Sequence, residues 1–170
     1  MPRVSASGAR GTDEHDNAPP GARRDDGRIG SFRGVQTIER DGIRLAYTEA
    51  GSADPPVVLL HGMACRHDHM LPVMRHLEAH HRCVAFDLRG HGASDAPRDA
   101  YAMDDFIADL GRAVDELDLR RPILIGHSFG GSIALAYADR YPERVRALVL
   151  LDSGMRSNQV TMPFGGRRQQ

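Results

Sequence analysis

Residues 122–137 read PILIGHSFGGSIALAY, and the predicted fold class follows from this stretch. Its apolar beginning predicts a strand buried on both faces, and the small and apolar residues 129–137 predict a helix. Between them lies a G-x-S-x-G pattern centred on Ser128. A strand that turns sharply into a helix needs small residues where the two backbones approach, and Gly126 and Gly130 supply them. We therefore predict a strained turn that exposes the Ser128 hydroxyl as a nucleophile.

The flanking sequence alternates between strand and helix patterns. Residues 35–39 and 43–47 alternate in polarity around Asp41-Gly42, which predicts an antiparallel hairpin. Three further apolar runs predict buried strands, and two amphipathic stretches predict helices. The runs are 56–60, 83–86 and 145–151, and the helical stretches are 69–79 and 103–117. This order predicts an α/β fold with a mostly parallel sheet, right-handed crossovers and an N-terminal antiparallel hairpin.

The composition divides the chain into three parts. Residues 1–33 are rich in Gly, Arg, Asp, Pro and Ala and carry few aliphatic side chains, which predicts a disordered tail. Residues 34–155 form the predicted core, and 156–170 an irregular C-terminal tail. The strand at 145–151 is the last one predicted, so it would lie at an open edge of the sheet. We expect self-association through this exposed edge.

Bulk properties narrow the class of protein. The chain has 170 residues, 41% hydrophobic and 26% charged, with a formal net charge of -1. That balance does not favour nucleic acid or an anionic membrane as a partner. No apolar run reaches the roughly 18 residues of a membrane span. The first 30 residues hold no apolar signal segment, so we predict a cytoplasmic protein.

Histidines between residues 67 and 81 invite comparison with a metal site. They are His67, His69, His76, His80 and His81. No carboxylate or cysteine completes an H-E-x-x-H type of pattern, so a solvated helix face is the simpler interpretation. The two cysteines, Cys65 and Cys83, lack C-x-x-C spacing and are expected to be reduced. We predict no metal and no cofactor, since nucleophilic catalysis needs only the protein's own groups.

His61-Gly62-Met63 follows the predicted strand at 56–60. If Ser128 attacks a carbonyl carbon, the carbonyl oxygen becomes negatively charged in the transition state. Such acyl transfer needs N–H donors aimed at this oxyanion. The backbone N–H groups of Phe129 and Met63 are the candidate donors. His61 has two possible roles, as catalytic base or as a residue that shapes this loop together with Gly62.

Two further polar features surround the predicted site. His127 precedes Ser128, but adjacent side chains diverge at such a turn, so His127 is expected to shape the site rather than to take the serine proton. Asp87–Asp95 reads DLRGHGASD and predicts a compact turn whose charged groups cross-link neighbouring loops.

Together the segments HGM, DLRGHGASD, GHSFGG and YPERVRALVLLD resemble the α/β-hydrolase superfamily over about residues 35–155. They are most similar to the bacterial subgroup of enol-lactonases, small esterases, C–C bond hydrolases and cofactor-free haloperoxidases. The resemblance implies a small-molecule substrate, an eight-stranded sheet, a lid after the sixth strand and a Ser-Asp-His triad in that chain order. Ser128 argues against the haloalkane dehalogenase branch, whose nucleophile is an aspartate.

The resemblance also indicates what these residues lack. No histidine follows His127, and the predicted strands end near the sixth, so we expect the N-terminal half of an α/β-hydrolase fold. Asp152 is either the triad acid or a polar residue at a strand end. The predicted function is hydrolysis of an ester or related carbonyl compound through an acyl-enzyme at Ser128, with low activity because the triad histidine is absent. The alternative is a catalytically inactive fragment, or a binding protein built on the half-fold.

Overall fold

The computed structural model of this protein describes residues 33–40 and 42–153. The two predicted tails therefore lie outside the described residues, apart from Arg33. Asp41 of the predicted hairpin turn lies outside them as well, whereas Gly42 has the positive φ of 74° that such turns require.

Six strands and three α-helices form the described part of the chain. The strands are β1 Gln36–Arg40, β2 Ile43–Ala50, β3 Val57–Leu60, β4 Cys83–Phe86, β5 Ile123–His127 and β6 Ala147–Leu151. The helices are α1 Leu71–Leu77, α2 Met103–Glu116 and α3 Phe129–Arg140. Short 3-10 turns span His67–Met70 and Pro142–Arg144.

One sheet joins the strands in the order β1-β2-β4-β3-β5-β6. The pairs β1–β2 and β2–β4 are antiparallel, and β4, β3, β5 and β6 run parallel. The predicted fold class, a mostly parallel sheet with an antiparallel N-terminal hairpin, is confirmed. Leu60 pairs with Gly126, so the loops after β3 and β5 leave the same edge of the sheet side by side. Because β6 pairs with β5, its carboxyl end reaches that edge too.

Apolar side chains cover both faces of the sheet. On one face, α2 and α3 pack against it through Phe106, Leu110, Ile133 and Tyr137, among others. On the other face, Met70 and Met74 pack over the central strands. Of the apolar stripe predicted along α2, Phe106, Ile107, Leu110 and Val114 are buried as expected. Met103 at its start is exposed, and Leu117, just past the end of the helix, is partly buried.

Two predicted elements differ from those observed. The helix predicted over 69–79 is a 3-10 turn followed by α1, because Pro72 lacks an N–H and suits only the first turn of a helix. His80 lies beyond the end of α1, so His76 and His80 do not share a helix. The predicted strand 145–151 begins only at Ala147.

Strand β6 lies at the edge of the described sheet, and Val149 on it is 40% exposed. Self-association through this edge stays a prediction. Among the described residues, no helix is both long and apolar enough to cross a membrane.

Candidate active site at the strand-to-helix turn

Ser128 occupies the turn between β5 and α3 in a strained backbone conformation. Its φ and ψ are 49° and −113°, a combination that side-chain-bearing residues rarely adopt. The Ser128 N–H donates to the Leu151 carbonyl at 2.9 Å, and the Ser128 carbonyl accepts from Gly131 and Ser132 at 3.0 and 3.2 Å. Hydrogen bonds on both sides of the residue thus hold the strained turn that the sequence predicts.

Close backbone approach explains the glycines of the motif. A Cβ on Gly130 would lie 2.4 Å from the Leu60 carbonyl oxygen, and one on Gly126 would lie 2.5 Å from the Gly131 nitrogen. Carbon atoms do not come this close to backbone atoms without moving them. The helix α3 can therefore start directly over the ends of β3 and β5 only with glycine at both positions.

The loop after β3 lies against the turn at Ser128. A Cβ on Gly62 would be 3.3 Å from the Ser128 Cβ and 2.8 Å from His127 Nδ1. Met63 follows in an exposed turn, and Phe129 is the first residue of α3, whose N–H has no acceptor within the helix. The structure thus brings together the segments that carry both candidate oxyanion donors.

His61 is fully buried, and both of its ring nitrogens have partners. Its Nε2 accepts from the Leu88 N–H at 3.0 Å, so Nδ1 carries the proton and donates to the Gly62 carbonyl at 2.7 Å. Burial and the nearby His91 lower the pKa of His61, although its bond to the Gly62 carbonyl opposes them. His61 is therefore a neutral bridge with no nitrogen left for the Ser128 proton, which favours the loop-shaping interpretation over the catalytic base.

The DLRGHGASD turn is held by its first aspartate. Asp87 is 1% exposed, and it accepts hydrogen bonds from the Ala93 N–H at 2.8 Å and from the N–H and Nδ1 of His67 at 2.7 and 2.9 Å. At the other end of the turn, Asp95 pairs with Arg44 of β2 at 2.9 Å. These contacts tie the loops after β3 and β4 to each other and to β2, the cross-linking that the sequence predicts.

Asp87 makes the stability of the protein depend on pH. Burial raises the pKa of Asp87, but the bonds from Ala93 and His67 outweigh burial and leave that pKa below its ordinary value. In the unfolded chain, an aspartate has a pKa of about 3.9. A carboxyl whose pKa is lower in the folded protein stabilises the fold at pH values above about 3.9, and this contribution is lost as the pH falls through the folded pKa.

We therefore expect Asp87→Asn to lower the free energy of unfolding at pH 7 by about 1–3 kcal/mol, because an amide places N–H groups against N–H donors. The difference between variant and wild type should shrink as the pH falls below about 4. Urea unfolding at several pH values measures both effects. Asp99→Asn, in an exposed part of the following loop, is the control. A constant difference at all pH values would contradict the assignment.

Sequence reasoning missed a buried ion pair beside this turn. Arg89 is 3% exposed and donates to both carboxylate oxygens of Asp109 at 2.6 and 2.7 Å and to the Ala100 carbonyl at 2.6 Å. The hydrogen bonds that Arg89 donates to Asp109 raise the pKa of Arg89. The pair fixes the loop after β4 to α2, where Phe106 packs edge-on against Phe129 of the site, with ring centroids 5.0 Å apart. In the sequence, Asp109 lies between the apolar residues of the predicted helix, and this unusual position could have indicated a buried carboxylate.

The end of β6 supplies another residue that was missed. Ser153 donates to the Ser128 carbonyl at 3.1 Å and lies 3.3 and 3.4 Å from the carbonyls of Leu151 and Gly126. Its neighbour Asp152 is exposed, with a φ of 46°. Since Leu151 pairs with His127, Asp152 lies at the same edge of the sheet as the turn. Its role as triad acid stays a prediction.

Within the described ranges, no group of three or more His, Cys, Asp or Glu residues is arranged to hold a metal ion. Both cysteines are free thiols. Burial raises the pKa of Cys83 to about 12, so this thiol is a poor nucleophile.

A family model described as the alpha/beta hydrolase fold matches residues 55–167 of the sequence. The chain belongs to the α/β-hydrolase fold family. The match includes the loop after β3, the DLRGHGASD turn and the G-x-S-x-G turn.

Individual relatives agree with this assignment. Epoxide hydrolase 4 of Mus musculus is 36% identical over 79% of the chain, which covers 38% of that protein. The 2-hydroxy-6-oxo-2,4-heptadienoate hydrolase of Pseudomonas putida is 38% identical over 65% of the chain, which covers 41% of it. Among solved structures, Cfl2 of Burkholderia cenocepacia superposes with a TM-score of 0.71 at 34% identity, over 82% of this chain and 49% of Cfl2. The chain spans about two fifths of the length of these two curated relatives.

Proposed function

We propose that the protein is a serine hydrolase that cleaves an ester or a related small carbonyl compound through an acyl-enzyme on Ser128. One observation carries the proposal: Ser128 is held in a strained conformation at the start of α3, with the Gly62–Met63 loop directly beside it. This strained strand-to-helix turn is the arrangement that presents a serine nucleophile in α/β hydrolases.

In the proposed reaction, Ser128 Oγ attacks the substrate carbonyl carbon and loses its proton to a general base. The carbonyl oxygen becomes an oxyanion, which accepts hydrogen bonds from the N–H groups of Phe129 and Met63. Collapse of this intermediate expels the leaving group and leaves an acyl-serine, which water then hydrolyses. Each backbone donor would stabilise the transition state by about 3 kcal/mol.

The general base in this proposal lies outside the described residues. His61 uses both ring nitrogens in backbone hydrogen bonds, and His127 is the last histidine of the sequence. Loss of the histidine of a serine triad costs about 10⁶-fold in turnover, and the rest of the site leaves about 10³–10⁴-fold over water. We therefore propose full activity for the whole protein and low activity for these 170 residues alone, with Asp152 as the candidate acid.

The names of the relatives bear on the substrate class. One is named for an epoxide and another for an oxo-dienoate, which contains a carbonyl group. Attack on a carbonyl creates the oxyanion that N–H groups at Met63 and Phe129 would receive. The combination of a serine with two backbone donors therefore favours the carbonyl class.

A fluorophosphonate probe tests the proposal on the 170-residue chain. The probe should phosphonylate Ser128, as mapped by mass spectrometry, and added imidazole should accelerate the reaction by replacing the missing base. Ser132, one turn further along α3, serves as the internal comparison and should stay unmodified. Modification spread over several serines, or none at all with imidazole present, would contradict a nucleophilic Ser128 and favour the inactive binding role.

A further inference from the structure

Two imidazoles bridge the loops after β3 and β4 in opposite directions. His61, from the first loop, accepts the Leu88 N–H of the second at 3.0 Å. His91, from the second loop, accepts the Ala64 N–H of the first at 3.3 Å, while its Nδ1 bonds the Arg89 carbonyl at 3.0 Å. The two rings lie 5.2 Å apart. Each ring therefore acts through a protonated Nδ1 and an accepting Nε2.

These bonds act on the backbone on both sides of Met63. The Gly62 carbonyl belongs to the same planar peptide group as the Met63 N–H, and in a trans peptide the two point in opposite directions. His61 donates to that carbonyl at 2.7 Å, and the Cys65 N–H donates to it at 3.2 Å. Because these bonds orient the carbonyl, they also orient the Met63 N–H on the opposite side of the peptide group.

The next peptide needs support as well. Ala64 has a φ of 58°, in the left-handed region that costs a residue with a Cβ about 1 kcal/mol or more. The only side chain that the described contacts place on the Ala64 N–H is that of His91. Without this bond, the turn at 63–64 would be free to relax toward an ordinary conformation. The Cys65 N–H would then leave the Gly62 carbonyl, and the Met63 peptide would lose one of the two bonds that hold its direction.

We propose that His91 is a positioning residue for the reaction: it holds the strained Ala64, and with His61 it aims the Met63 N–H at the oxyanion. This rests on the proposed function, since Met63 is a donor only if Ser128 is the nucleophile. The hydrogen bonds described for His91 go to the Ala64 N–H and the Arg89 carbonyl, and it acts on the site through Met63. It acts as an acceptor in its neutral Nδ1–H form, across the gap between two loops.

The first test is the rate of imidazole-assisted fluorophosphonate labelling of the full chain. His91→Ala should slow labelling by about tenfold to 100-fold, the cost of a misplaced catalytic group. His91→Gln offers an amide oxygen to the Ala64 N–H and should restore the rate to within about threefold of wild type. His76→Ala is the matched control, because His76 also bonds a backbone carbonyl, that of Pro72, but its side chain is exposed on α1. It should label at the wild-type rate.

The second test does not depend on labelling, and its first part uses the wild type alone. Long-range ¹H–¹⁵N spectra of the wild type should show both His61 and His91 as Nδ1–H tautomers. Amide exchange at Ala64 should be at least about tenfold faster in His91→Ala than in His91→Gln, since only the latter keeps an acceptor.

The outcomes separate the two proposals. Normal labelling of Ser128 in the wild type with an unchanged rate in His91→Ala would overturn the role of His91 and leave the proposed function intact. Absent labelling in the wild type would overturn the function and with it the catalytic consequence of the loop bridge. An Nε2–H tautomer at His91, or unchanged Ala64 exchange in His91→Ala, would overturn the bridge itself.

Discussion

Replacing Ser128 with alanine is expected to reduce imidazole-assisted labelling of the chain to background, the largest effect on activity that we predict. No other described serine occupies the start of α3 beside the Gly62–Met63 loop. Alanine keeps the Cβ and hence the strain at a φ of 49°, so the fold should keep its stability to within about 0.5 kcal/mol. Gel-based labelling together with urea unfolding measures both quantities.

Ser128→Gly sharpens this prediction. Glycine adopts positive φ without a steric penalty, so this variant should also lose labelling but gain about 1 kcal/mol in the free energy of unfolding. Ser132→Ala is the matched control on the next turn of α3, and it should keep both labelling and stability. Persistent labelling in Ser128→Ala would exclude Ser128 as the nucleophile, and an unchanged stability in Ser128→Gly would show that the turn is not strained.

Asp109→Ala is expected to lower the free energy of unfolding by about 3–5 kcal/mol, the largest effect on stability. The variant leaves Arg89, 3% exposed, without its two-bonded carboxylate partner. The Ala100 carbonyl at 2.6 Å and a longer ion pair to Asp105 at 3.6 Å remain, so most of the compensation of the buried charge is lost. A loss of this size is a large part of the total stability of a domain. Chemical denaturation followed by circular dichroism measures it.

The same helix offers a control for this ion pair. Asp104 pairs with Arg140 at 2.6 Å, but both side chains are largely exposed, so Asp104→Ala should cost less than about 1 kcal/mol. Replacing both buried partners, as Arg89→Met with Asp109→Leu, should cost less than Asp109→Ala alone, because no charge remains buried. Additive losses in the double variant would contradict an uncompensated charge as the cause.

Much of the fold was predictable because its signals are local. Each signal involves residues that are close together in the sequence: the apolar runs of the strands, the apolar stripe of α2 and the glycines around Ser128. The predicted bounds of helices and strands were wrong where a single proline overrides the periodic pattern of apolar residues. Pro72 divides the helix predicted over 69–79, and Pro142 opens a 3-10 turn that moves the start of β6 to Ala147.

Part of the candidate site was not predictable, because its residues meet only through the sheet order. Arg89 and Asp109 are 20 positions apart, and His91 and Ala64 are 27 apart. Polarity marks Asp109 as unusual within an apolar stripe, but nothing in the sequence names its partner. His61 was open to two interpretations until both of its ring nitrogens were seen to hold backbone groups.

The G-x-S-x-G motif, its two glycines and the α/β class are readable from the sequence alone, because they depend on side-chain size and on the period of apolar residues. How the loops after β3, β4 and β5 are held against one another is visible only in the folded protein. The pairing of Leu60 with Gly126 and the burial of His61 set the direction of the Met63 peptide. The direction of a hydrogen bond depends on which atoms packing brings together. The order of residues along the chain does not reveal which distant atoms will meet.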